Sequence, residues 1–429
     1  MTSLYLSLWI AGGVLLQIAI YLSIGFWRHW QGYRALRNAA AEFEISVNPD
    51  VTPEEMQPPT TEWPGYRTFY VKRKAQEGTA SQVCSFYLVP EDGRPLATFL
   101  PGQFLTFKLG VPSPTGENQS VIRCYSLSDA PNPGHYRISV KRAPAPFGSQ
   151  IPQGISSNYF HDHVEVGSQL QVRAPAGHFH IDHSNSPVVL IGGGIGITPM
   201  LSMLNWCLVA QPGREVWLFY GVRNSAELVL QMHLEDLAAK HPNFHLHLCM
   251  SDPQPNDLGG HRSGPVRFHH SRVSVALLRS VLPLKPYHYY LCGPTPMLQS
   301  LVPALEDWGV PDARIHFEAF GPASVPRKHS AATTRAPSQR DDKGCAVVVT
   351  FAKSGKQETW EPGMGSLLDF AENHGIVVSS GCRAGGCGSC QTSIRSGEVA
   401  YAQAPDFDPE AGSCLLCVCT PKTAVTLEA

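Results

Sequence analysis

The sequence lacks an excess of charge of either sign, with 33 basic and 35 acidic residues among 429. Nucleic-acid-binding proteins usually carry a basic excess, so this balance argues against such a partner. The chain also lacks internal repeats, which excludes a solenoid built from one repeated unit. A chain of this length is expected to fold as two or three domains.

Charged residues are missing from Leu4 to Trp27, a hydrophobic run of 24 residues. At about 1.5 Å per residue, a helix of this length crosses a hydrocarbon core of ~30 Å, so the run predicts a transmembrane helix. Arg28, Arg34 and Arg37 follow the run, and positive residues favour the cytoplasmic side. A cleaved signal peptide would carry its charges before the run. We therefore expect a single-pass membrane protein with its catalytic domains in the cytoplasm.

The composition changes several times along the rest of the chain, and each change predicts a domain boundary. Residues 28–64 are polar and proline-rich, which predicts a juxtamembrane tether. Short alternating runs separated by turn residues predict an antiparallel β-barrel over 65–182. Apolar strands that alternate with helical runs predict an α/β domain with a parallel sheet over 183–323. A flexible linker, 324–343, then precedes a compact module at 344–429.

Three cysteines crowd one glycine-rich stretch of the last module, at Cys382, Cys387 and Cys390. The spacing C-x4-C-x2-C is typical of a plant-type [2Fe–2S] loop, and the glycines allow the backbone to approach a cluster closely. Zinc sites more often use paired C-x2-C knuckles, and disulfides fit poorly with a cytoplasmic location. The fourth ligand must come from one of three downstream cysteines, Cys414, Cys417 and Cys419.

A second glycine-rich stretch, "PVVLIGGGIGITPML" at 187–201, joins a predicted strand to a predicted helix. Its glycines would let a pyrophosphate approach the backbone at the N-terminus of the helix. Thr198 is expected to cap that helix, with Pro199 in its first turn. The pattern is not G-x-G-x-x-G, because a threonine–proline pair stands where the last glycine would be.

Several motifs, in this order, resemble the ferredoxin–NADP reductase superfamily. "RCYSL" at 123–127 matches the R-x-Y-S flavin motif of that family, and "GGGIGITPM" with "YYLCGPTPML" resembles its nicotinamide domain. "CLLCVCTPKTAVTLEA" resembles the closing strand of a plant-type ferredoxin. This resemblance implies that 344–429 folds as an α+β β-grasp ferredoxin domain and that Cys417 is the fourth cluster ligand. The resemblance covers about 66–323 and 344–429. The domain order resembles bacterial oxygenase reductases and the NADH reductase of hybrid-cluster protein.

This resemblance implies FAD, a [2Fe–2S] cluster and NADH or NADPH as cofactors, and it implies their binding residues. Those implied for FAD are Arg123, Tyr125, Ser126, Val140, Lys141, Gly154, Ser156, Ser157 and Phe320. Those implied for the nicotinamide coenzyme are Gly193, Gly194, Gly196, Thr198, Arg223, Cys292, Gly293 and Pro294. The implied cluster ligands are Cys382, Cys387, Cys390 and Cys417. The residues implied for the catalytic step are Ser126, Cys292 and Glu318.

The choice of coenzyme depends on residues after the second and third strands of the α/β domain. Asp252 follows the third strand, where it would repel a 2′-phosphate. Arg223 follows the second strand and could accept a phosphate or stack on adenine, and Glu227 comes shortly after it. On balance these residues predict NADH rather than NADPH, and the end of the barrel favours FAD over FMN.

Together these parts predict an oxidoreductase that passes electrons from NAD(P)H through a flavin and a cluster to a one-electron acceptor. The expected anchor favours an acceptor in the membrane, a diiron hydroxylase or a fatty-acid desaturase. Direct reduction of a quinone and service to a Rieske-type oxygenase are the alternatives. A non-enzymatic membrane tether or redox sensor, which would use its cluster only to bind a partner, is an alternative of a different class. The complete set of motifs for hydride transfer argues against it, because such a protein would not need them.

Overall fold

The computed structural model describes most of the chain between Trp63 and Ala429, and the described residues belong to one compact unit. The described ranges are 63–78, 82–112, 118–145, 153–257, 265–320, 346–383, 385–401, 405 and 407–429. Six α-helices lie in these ranges, and in chain order α1 to α6 are Ile155–His163, Ile197–Ala210, Gln231–Lys240, Val275–Val281, Thr295–Asp307 and Leu367–Asn373.

Six antiparallel strands form the first sheet, which with α1 we call the barrel. Strands β1 to β6 are Arg67–Glu77, Val83–Pro90, Phe104–Pro112, Asn118–Ser126, Tyr136–Lys141 and Gln169–Val172. They pair in the order β4-β3-β6-β1-β2-β5, and a bridge between Leu127 and Ile138 joins the two outer edges. Successive side chains on a strand face opposite sides, so Phe69, Phe86 and Phe107 all fill the interior.

Six parallel strands form the second sheet, which with α2 to α5 we call the α/β domain. Strands β7 to β12 are Val188–Gly193, Val216–Val222, Phe244–Met250, Val266–His269, His288–Gly293 and Ile315–Ala319. Their order is β10-β9-β8-β7-β11-β12, so the chain leaves β7 for β8 on one side and later returns to β11 on the other. Ligands of such sheets bind beyond the carboxyl ends of the strands at this reversal. The glycine turn therefore lies at the expected crevice.

The last sheet is small and mixed, and with α6 we call it the C-terminal module. Strands β13 to β19 are Val347–Phe351, Lys356–Trp360, Gln391–Ser396, Val399–Tyr401, Ser413–Leu415, Cys419–Pro421 and Val425–Leu427. Five of them pair in the order β14-β13-β19-β15-β17, and β16 pairs with β18. Helix α6 begins with a capping box, in which Ser366 and Asp369 each bond the other's backbone N–H. Phe351 and Phe370 pack together in its core.

The expected order of an antiparallel domain, a parallel α/β domain and a small C-terminal module is confirmed, but the expected single-pass membrane location is wrong. None of the helices that the structure describes is long and apolar enough to cross a bilayer. The longest of them, α2, has 14 residues and extends over about 21 Å, well short of a ~30 Å hydrocarbon core. The predicted anchor, Leu4–Trp27, and the linker, 324–343, lie outside the described residues.

The expected helix cap at Thr198 is also wrong. The N-cap of α2 is Gly196, and no side chain caps the helix there. Thr198 lies one residue inside the helix, where its Oγ1 donates to the carbonyl oxygen of Ile195 at 3.0 Å. A short 3-10 turn at Gly194–Gly196 replaces the open loop that a capping side chain would need, so the chain enters the helix earlier than expected.

Candidate functional site

A cavity of about 570 Å³ lies between the barrel, the α/β domain and the C-terminal module. The sequence-predicted site residues that line it are Arg123, Tyr125, Ser126, Lys141, Thr198, Glu318, Phe320 and Cys382. Its remaining wall comes from residues that were not predicted, which are Phe104, Cys124, Ser139, Ile195, Ala319, Glu372, Ser380, Gly381 and Arg383. One space therefore joins parts of the expected flavin, nicotinamide and cluster sites.

Tyr125 is held rigidly on the wall of this cavity. Its hydroxyl lies 2.8 Å from Oγ of Ser156 at the start of α1, and its ring meets Phe107 and Phe160 edge to face. Burial raises the pKa of the Tyr125 hydroxyl to about 12, so the group is neutral at physiological pH. The ring is thus fixed in one orientation and can present an apolar face to a planar ligand.

Arg123 supplies positive charge that has no carboxylate partner among the residues the structure describes. Its guanidinium Nη1 donates to the carbonyl oxygen of Ile122 at 2.8 Å, and the rest of the group faces the cavity. Lys141 lines the same space from the end of β5. A guanidinium and an ammonium group in one pocket fit the charge of a phosphate. These side chains therefore fit the phosphate end of a flavin nucleotide.

The N-terminus of α1 lies behind Tyr125. Gly154 is the N-cap residue and offers no side-chain cap, so the first N–H groups of the helix are left for another acceptor. Ser156 is buried against the Tyr125 hydroxyl, and Ser157 is half-buried beside it. Val140, in contrast, points into the barrel core rather than the cavity. The predicted flavin residues thus divide into one group on the cavity wall and another that supports it.

The turn at 193–196 requires glycine for two different reasons. Gly194 has a φ of +53° with open space where a Cβ would be, as a close approach by a ligand requires. A Cβ on Gly196 would lie 2.2 Å from the carbonyl oxygen of Cys292, so glycine is needed there for packing. Gly193 packs similarly against Pro294 and Met297. The backbone at Gly194 therefore fits the pyrophosphate of a dinucleotide.

Glu318 and Cys292 lie in register on neighbouring strands, but only Glu318 reaches the cavity. The Oε2 atom of Glu318 is buried without a hydrogen-bond partner among the described residues, and burial raises the pKa of this carboxyl to about 8. Cys292 is fully buried, and burial also raises the pKa of its thiol. Gly293 and Pro294, like Cys292, are not among the residues that line the cavity. An orphaned carboxyl at the cavity wall fits a site that a polar ligand completes.

Arg223 lies outside the large cavity and is neutralised by neighbours. Its Nε donates to Oε1 of Glu227 at 2.6 Å, and its Nη2 contacts the same oxygen. Asp252 follows β9 and donates its backbone N–H to the carbonyl oxygen of Arg223. The hydrogen bond to Glu227 raises the pKa of Arg223, and the charge of Asp252 adds to this. The carboxylate of Glu227 therefore already occupies the guanidinium that could otherwise accept a phosphate or stack on adenine.

The loop of three cysteines aims its backbone N–H groups at its own sulfurs. Gly386 N donates to Cys382 Sγ and Cys382 N to Cys387 Sγ, each at 3.2 Å, and Ser389 N lies 3.5 Å from Cys387 Sγ. Thiolate ligands of iron–sulfur clusters accept such bonds, which offset their negative charge. Cys387 and Cys390 are buried, and Cys382 is partly exposed. The donor set therefore fits an iron–sulfur cluster.

The downstream cysteines separate into two positions. The Cys417 thiol is hydrogen-bonded to Cys390 of the loop, a contact that raises the pKa of Cys417. The Cys419 thiol instead bonds to Cys414, and both are fully buried in the core of the C-terminal module. Only Cys417 faces the loop, which fits its expected role as the fourth ligand.

Sequence reasoning missed the residues that bring the barrel and the C-terminal module together. Cys124 occupies the variable position of R-x-Y-S, yet its sulfur lies within 4.8 Å of those of Cys382 and Cys387. The guanidinium of Arg173 lies between two rings, 4.7 Å from that of Tyr66 and 4.5 Å from that of Phe407. Cys124 stands at a position that its motif leaves open, and Arg173 belongs to no motif, so no sequence signal pointed to either residue.

Three protein-family models match consecutive parts of the chain. An oxidoreductase FAD-binding domain matches residues 70–181, an oxidoreductase NAD-binding domain matches 190–302, and a 2Fe-2S iron-sulfur cluster binding domain matches 349–422. Together they follow the order of the barrel, the α/β domain and the C-terminal module. FAD, a nicotinamide coenzyme and a [2Fe–2S] cluster are therefore the cofactors of this chain.

Curated relatives and solved structures agree with these matches. The flavohemoprotein of Halalkalibacterium halodurans is 36% identical over 296 residues, 69% of each chain, and that of Rhizobium meliloti is 40% identical over 261 residues, 61% of this chain and 62% of its own. The chain thus spans about two thirds of these relatives. The flavohem-like FAD/NAD binding domain of a nitric oxide dioxygenase from Vibrio cholerae is 34% identical with a TM-score of 0.51, covering 60% of this chain and 100% of that chain.

Two solved structures extend over more of the chain. An intact type IV self-sufficient cytochrome P450 monooxygenase shares the fold over 89% of this chain and 45% of its own, with 21% identity and a TM-score of 0.52. Phthalate dioxygenase reductase covers 88% of this chain and 100% of its own, with 26% identity and a TM-score of 0.48. The chain belongs to the ferredoxin-reductase-type flavoprotein oxidoreductases, a family that it shares with the flavohemoproteins, and is an NAD(P)H-dependent flavin and iron–sulfur enzyme.

Proposed function

We propose that this enzyme is the reductase component of an oxygenase system, which oxidises NADH and supplies single electrons to a separate Rieske-type oxygenase component. The observation that carries the proposal is the shared cavity, where Tyr125 of the flavin strand and Cys382 of the cluster loop line one space. The 34% identical FAD/NAD domain belongs to a nitric oxide dioxygenase, which supports an oxygenase as the acceptor.

The residues on the cavity wall would hold the cofactors. When bound, FAD accepts a hydride and releases its electrons singly, and a [2Fe–2S] cluster carries one electron at a time. Arg123 and Lys141 would neutralise the flavin phosphates, and Tyr125 would fix the orientation of the ring system. Cys382, Cys387, Cys390 and Cys417 would hold the cluster, since Cys417 is the downstream cysteine that faces the loop.

Ser126, Cys292 and Glu318 would shape the place where the hydride is transferred. Ser126 lies at the end of β4 with 5% exposure, so it can offer its hydroxyl to a flavin without competition from water. Glu318 with its raised pKa would stay protonated at neutral pH and could donate a hydrogen bond. Cys292, behind the wall, would position the strand rather than touch the reacting atoms.

NADH is the proposed coenzyme. Glu227 engages the Arg223 guanidinium through two nitrogens, so a 2′-phosphate would have to displace a carboxylate that is already in place. Asp252 lies next to the same arginine and adds negative charge to the site. A ribose hydroxyl, which carries no charge, meets neither obstacle. Gly194 would lie against the pyrophosphate of the coenzyme.

The experiment that tests this function compares acceptors for the purified full-length protein. With NADH as donor, we expect rapid reduction of an added Rieske-type oxygenase component. The electron paramagnetic resonance signal of its reduced centre measures this reduction. Reduction of a quinone analogue should be slower by at least about tenfold, a difference of roughly 1.4 kcal/mol in activation free energy. Faster reduction of the quinone analogue would contradict the proposal and indicate a quinone reductase.

The route through the cluster is tested with a matched pair of variants. Cys417→Ser should abolish electron transfer to the oxygenase component but keep reduction of ferricyanide, which takes electrons directly from flavin. Cys419→Ser changes a cysteine two residues away that bonds to Cys414 in the core, and it should keep both activities. If Cys419→Ser, and not Cys417→Ser, loses the cluster signal, the assignment of the fourth ligand is wrong.

A further inference from the structure

One cysteine of the barrel contacts the cluster loop of a different module. Cys124 lies in β4 between Arg123 and Tyr125, and all three line the cavity proposed for the flavin. Its sulfur is within 4.8 Å of the sulfurs of Cys382 and Cys387, which belong to the C-terminal module. Cys124 is therefore the point at which the flavin strand and the proposed cluster ligands meet.

The barrel fixes the position of the Cys124 side chain. Thr106 is paired with it across β3 and β4, and Thr106 Oγ1 lies 3.4 Å from Cys124 Sγ. Thr106 is 1% exposed, so its hydroxyl has little choice of other partners. When the Thr106 hydroxyl donates to the sulfur, the thiol proton of Cys124 is left to point toward Cys382 and Cys387. A rigid pair of strands thus aims one weak donor at the cluster loop.

The sulfurs of Cys382 and Cys387, which face Cys124, already accept hydrogen bonds. Cys382 Sγ accepts from Gly386 N, and Cys387 Sγ accepts from Cys382 N, all within the loop itself. Cys124 would add a donor that comes from outside the C-terminal module. Hydrogen bonds to the sulfurs of an iron–sulfur cluster are among the factors that set its reduction potential, because they stabilise the more negative reduced state. A further donor at this place should therefore raise the potential.

We propose that Cys124 is a positioning residue for electron transfer: its thiol donates a hydrogen bond to the cysteine sulfurs at 382 and 387 and raises the reduction potential of the [2Fe–2S] cluster while the C-terminal module lies against the barrel. The proposal rests on the proposed role of Cys382 and Cys387 as ligands. Cys124 keeps its proton throughout, one electron is transferred, and no other reactant is needed. While the C-terminal module lies against the barrel, the cluster therefore accepts an electron more readily than it would without the Cys124 donor.

The test is a potentiometric titration of the full-length holoprotein, with the reduced cluster followed by electron paramagnetic resonance. Cys124→Ala removes the donor, and at a fixed solution potential we expect about a tenfold lower ratio of reduced to oxidised cluster, which is about 59 mV for a one-electron couple. Cys124→Ser keeps an O–H donor and should stay close to the wild-type protein. Cys249→Ala, a matched change of a buried cysteine in the α/β domain, should leave the potential unchanged.

Two outcomes would overturn the proposal. An unchanged potential in Cys124→Ala would show that no hydrogen bond from this thiol affects the cluster. Loss of the cluster from Cys124→Ala would show that the residue is needed for binding and not for tuning. Failure of the ligand assignment is recognised separately, since Cys382→Ser would then keep the full [2Fe–2S] signal. Far-UV circular dichroism and thermal unfolding of every variant report that the chain is folded.

Discussion

Glu318 illustrates how burial alone can change the chemistry of a single residue. In the part of the chain that the structure describes, Oε2 of its carboxyl has no hydrogen-bond partner, and burial raises the pKa of the group to about 8. The group therefore carries a proton in the folded protein at pH 7, while in the unfolded chain it would be ionised. A neutral acid at the cavity wall can donate a hydrogen bond, whereas a carboxylate could only accept one.

The raised pKa of Glu318 predicts a loss of stability as pH rises. Between about pH 4.5 and pH 8 the unfolded chain releases this proton and the folded protein retains it, so unfolding becomes easier with increasing pH. This group alone should lower the free energy of unfolding by about 3 kcal/mol between pH 5 and pH 8, at about 1.36 kcal/mol per pKa unit. Glu318→Gln should remove that dependence, and thermal unfolding of the holoprotein across this pH range measures it.

The control for Glu318 is an exposed glutamate. Glu361→Gln makes the same chemical change on the surface of the C-terminal module, and it should leave the pH dependence of unfolding as in the wild-type protein. Parallel unfolding curves for the wild-type protein and Glu318→Gln from pH 5 to pH 8 would show that the carboxyl is ionised in the folded state.

Coenzyme choice is likewise decided by a single ion pair. Glu227→Gln should release the Arg223 guanidinium from its carboxylate and let it meet a 2′-phosphate. Hydrogen bonds to charged groups are worth roughly 1.5–3 kcal/mol, so kcat/KM for NADPH should rise by at least about tenfold relative to NADH. Steady-state kinetics with both coenzymes measures the ratio. The matched variant Glu235→Gln changes a glutamate of α3, and a similar rise there would argue against a role for Glu227.

At the scale of elements, an ion pair between a buried arginine and a half-buried aspartate connects the end of the barrel to the second sheet. Arg214 is 1% exposed, and its guanidinium donates to Oδ1 of Asp182 at 2.7 Å and to the carbonyl oxygens of Asp182 and Ser186. Tyr290 of β11 donates its hydroxyl to the same carboxylate. Burial alone would raise the pKa of Asp182, but hydrogen bonds from Ser184 and Arg214 hold it well below its ordinary value. The pair therefore fixes the segment that leads into β7.

Arg214→Met should destabilise the protein, because it leaves the half-buried Asp182 carboxylate without its partner. Removing one member of a fully buried pair typically costs about 3–5 kcal/mol, and the partial exposure of Asp182 places the expected cost at or below the lower end of that range. Lys240→Met provides the control, since it breaks an exposed pair with Asp236 in α3 and should cost no more than about 0.5 kcal/mol. Urea unfolding of both variants measures the difference. Equal effects would mean that the Arg214 pair contributes no more than a surface pair.

At the scale of the whole molecule, the enzyme brings its proposed flavin site and its proposed cluster site into contact. Arg173 belongs to the barrel, directly after β6, and its guanidinium lies between the rings of Tyr66 and Phe407. Phe407 also fills the space next to Gly388 of the cluster loop, where a Cβ would lie 2.6 Å from its ring. The same aromatic ring therefore supports the loop and contacts the barrel.

Arg173→Ala should slow electron transfer from flavin to cluster without affecting reduction of the flavin. A cation–π contact contributes roughly 0.5–2 kcal/mol, so losing this one should lower the rate by about tenfold through weaker contact between the modules. Anaerobic stopped-flow mixing with NADH separates bleaching of the flavin from reduction of the cluster. Arg73→Ala removes a cation–π contact with Tyr87 in which both residues belong to the barrel, so it should leave the rate unchanged. An unaltered rate in Arg173→Ala would show that this contact does not guide electron transfer.

The local motifs were predictable from the sequence because their chemistry depends on residues close together in the chain. Each of three motifs is defined by residues only a few positions apart. They are the strand that carries Arg123 and Tyr125, the glycine turn at Gly194 and the cysteine loop. The order of an antiparallel domain and then a parallel α/β domain followed from the change of hydrophobic period along the chain, while the C-terminal module was identified by its cysteine spacing. The hydrophobic run near the N-terminus predicted a membrane location, and that prediction is wrong, since none of the helices in the described part of the chain is long and apolar enough to cross a bilayer. An apolar run reports on its own segment and not on the fold of the domains that follow it.

Tertiary structure alone decided what depends on residues far apart in the chain. The contact of Cys124 with Cys382, the ring of Phe407 on Arg173 and the orphaned carboxyl of Glu318 have no signature in any short stretch. Burial and hydrogen bonding set the pKa of an acid and the surroundings of a thiol, and both arise only when separate modules close around a group. The sequence by itself therefore determined the cofactors and their order, while the folded molecule determined how their sites meet.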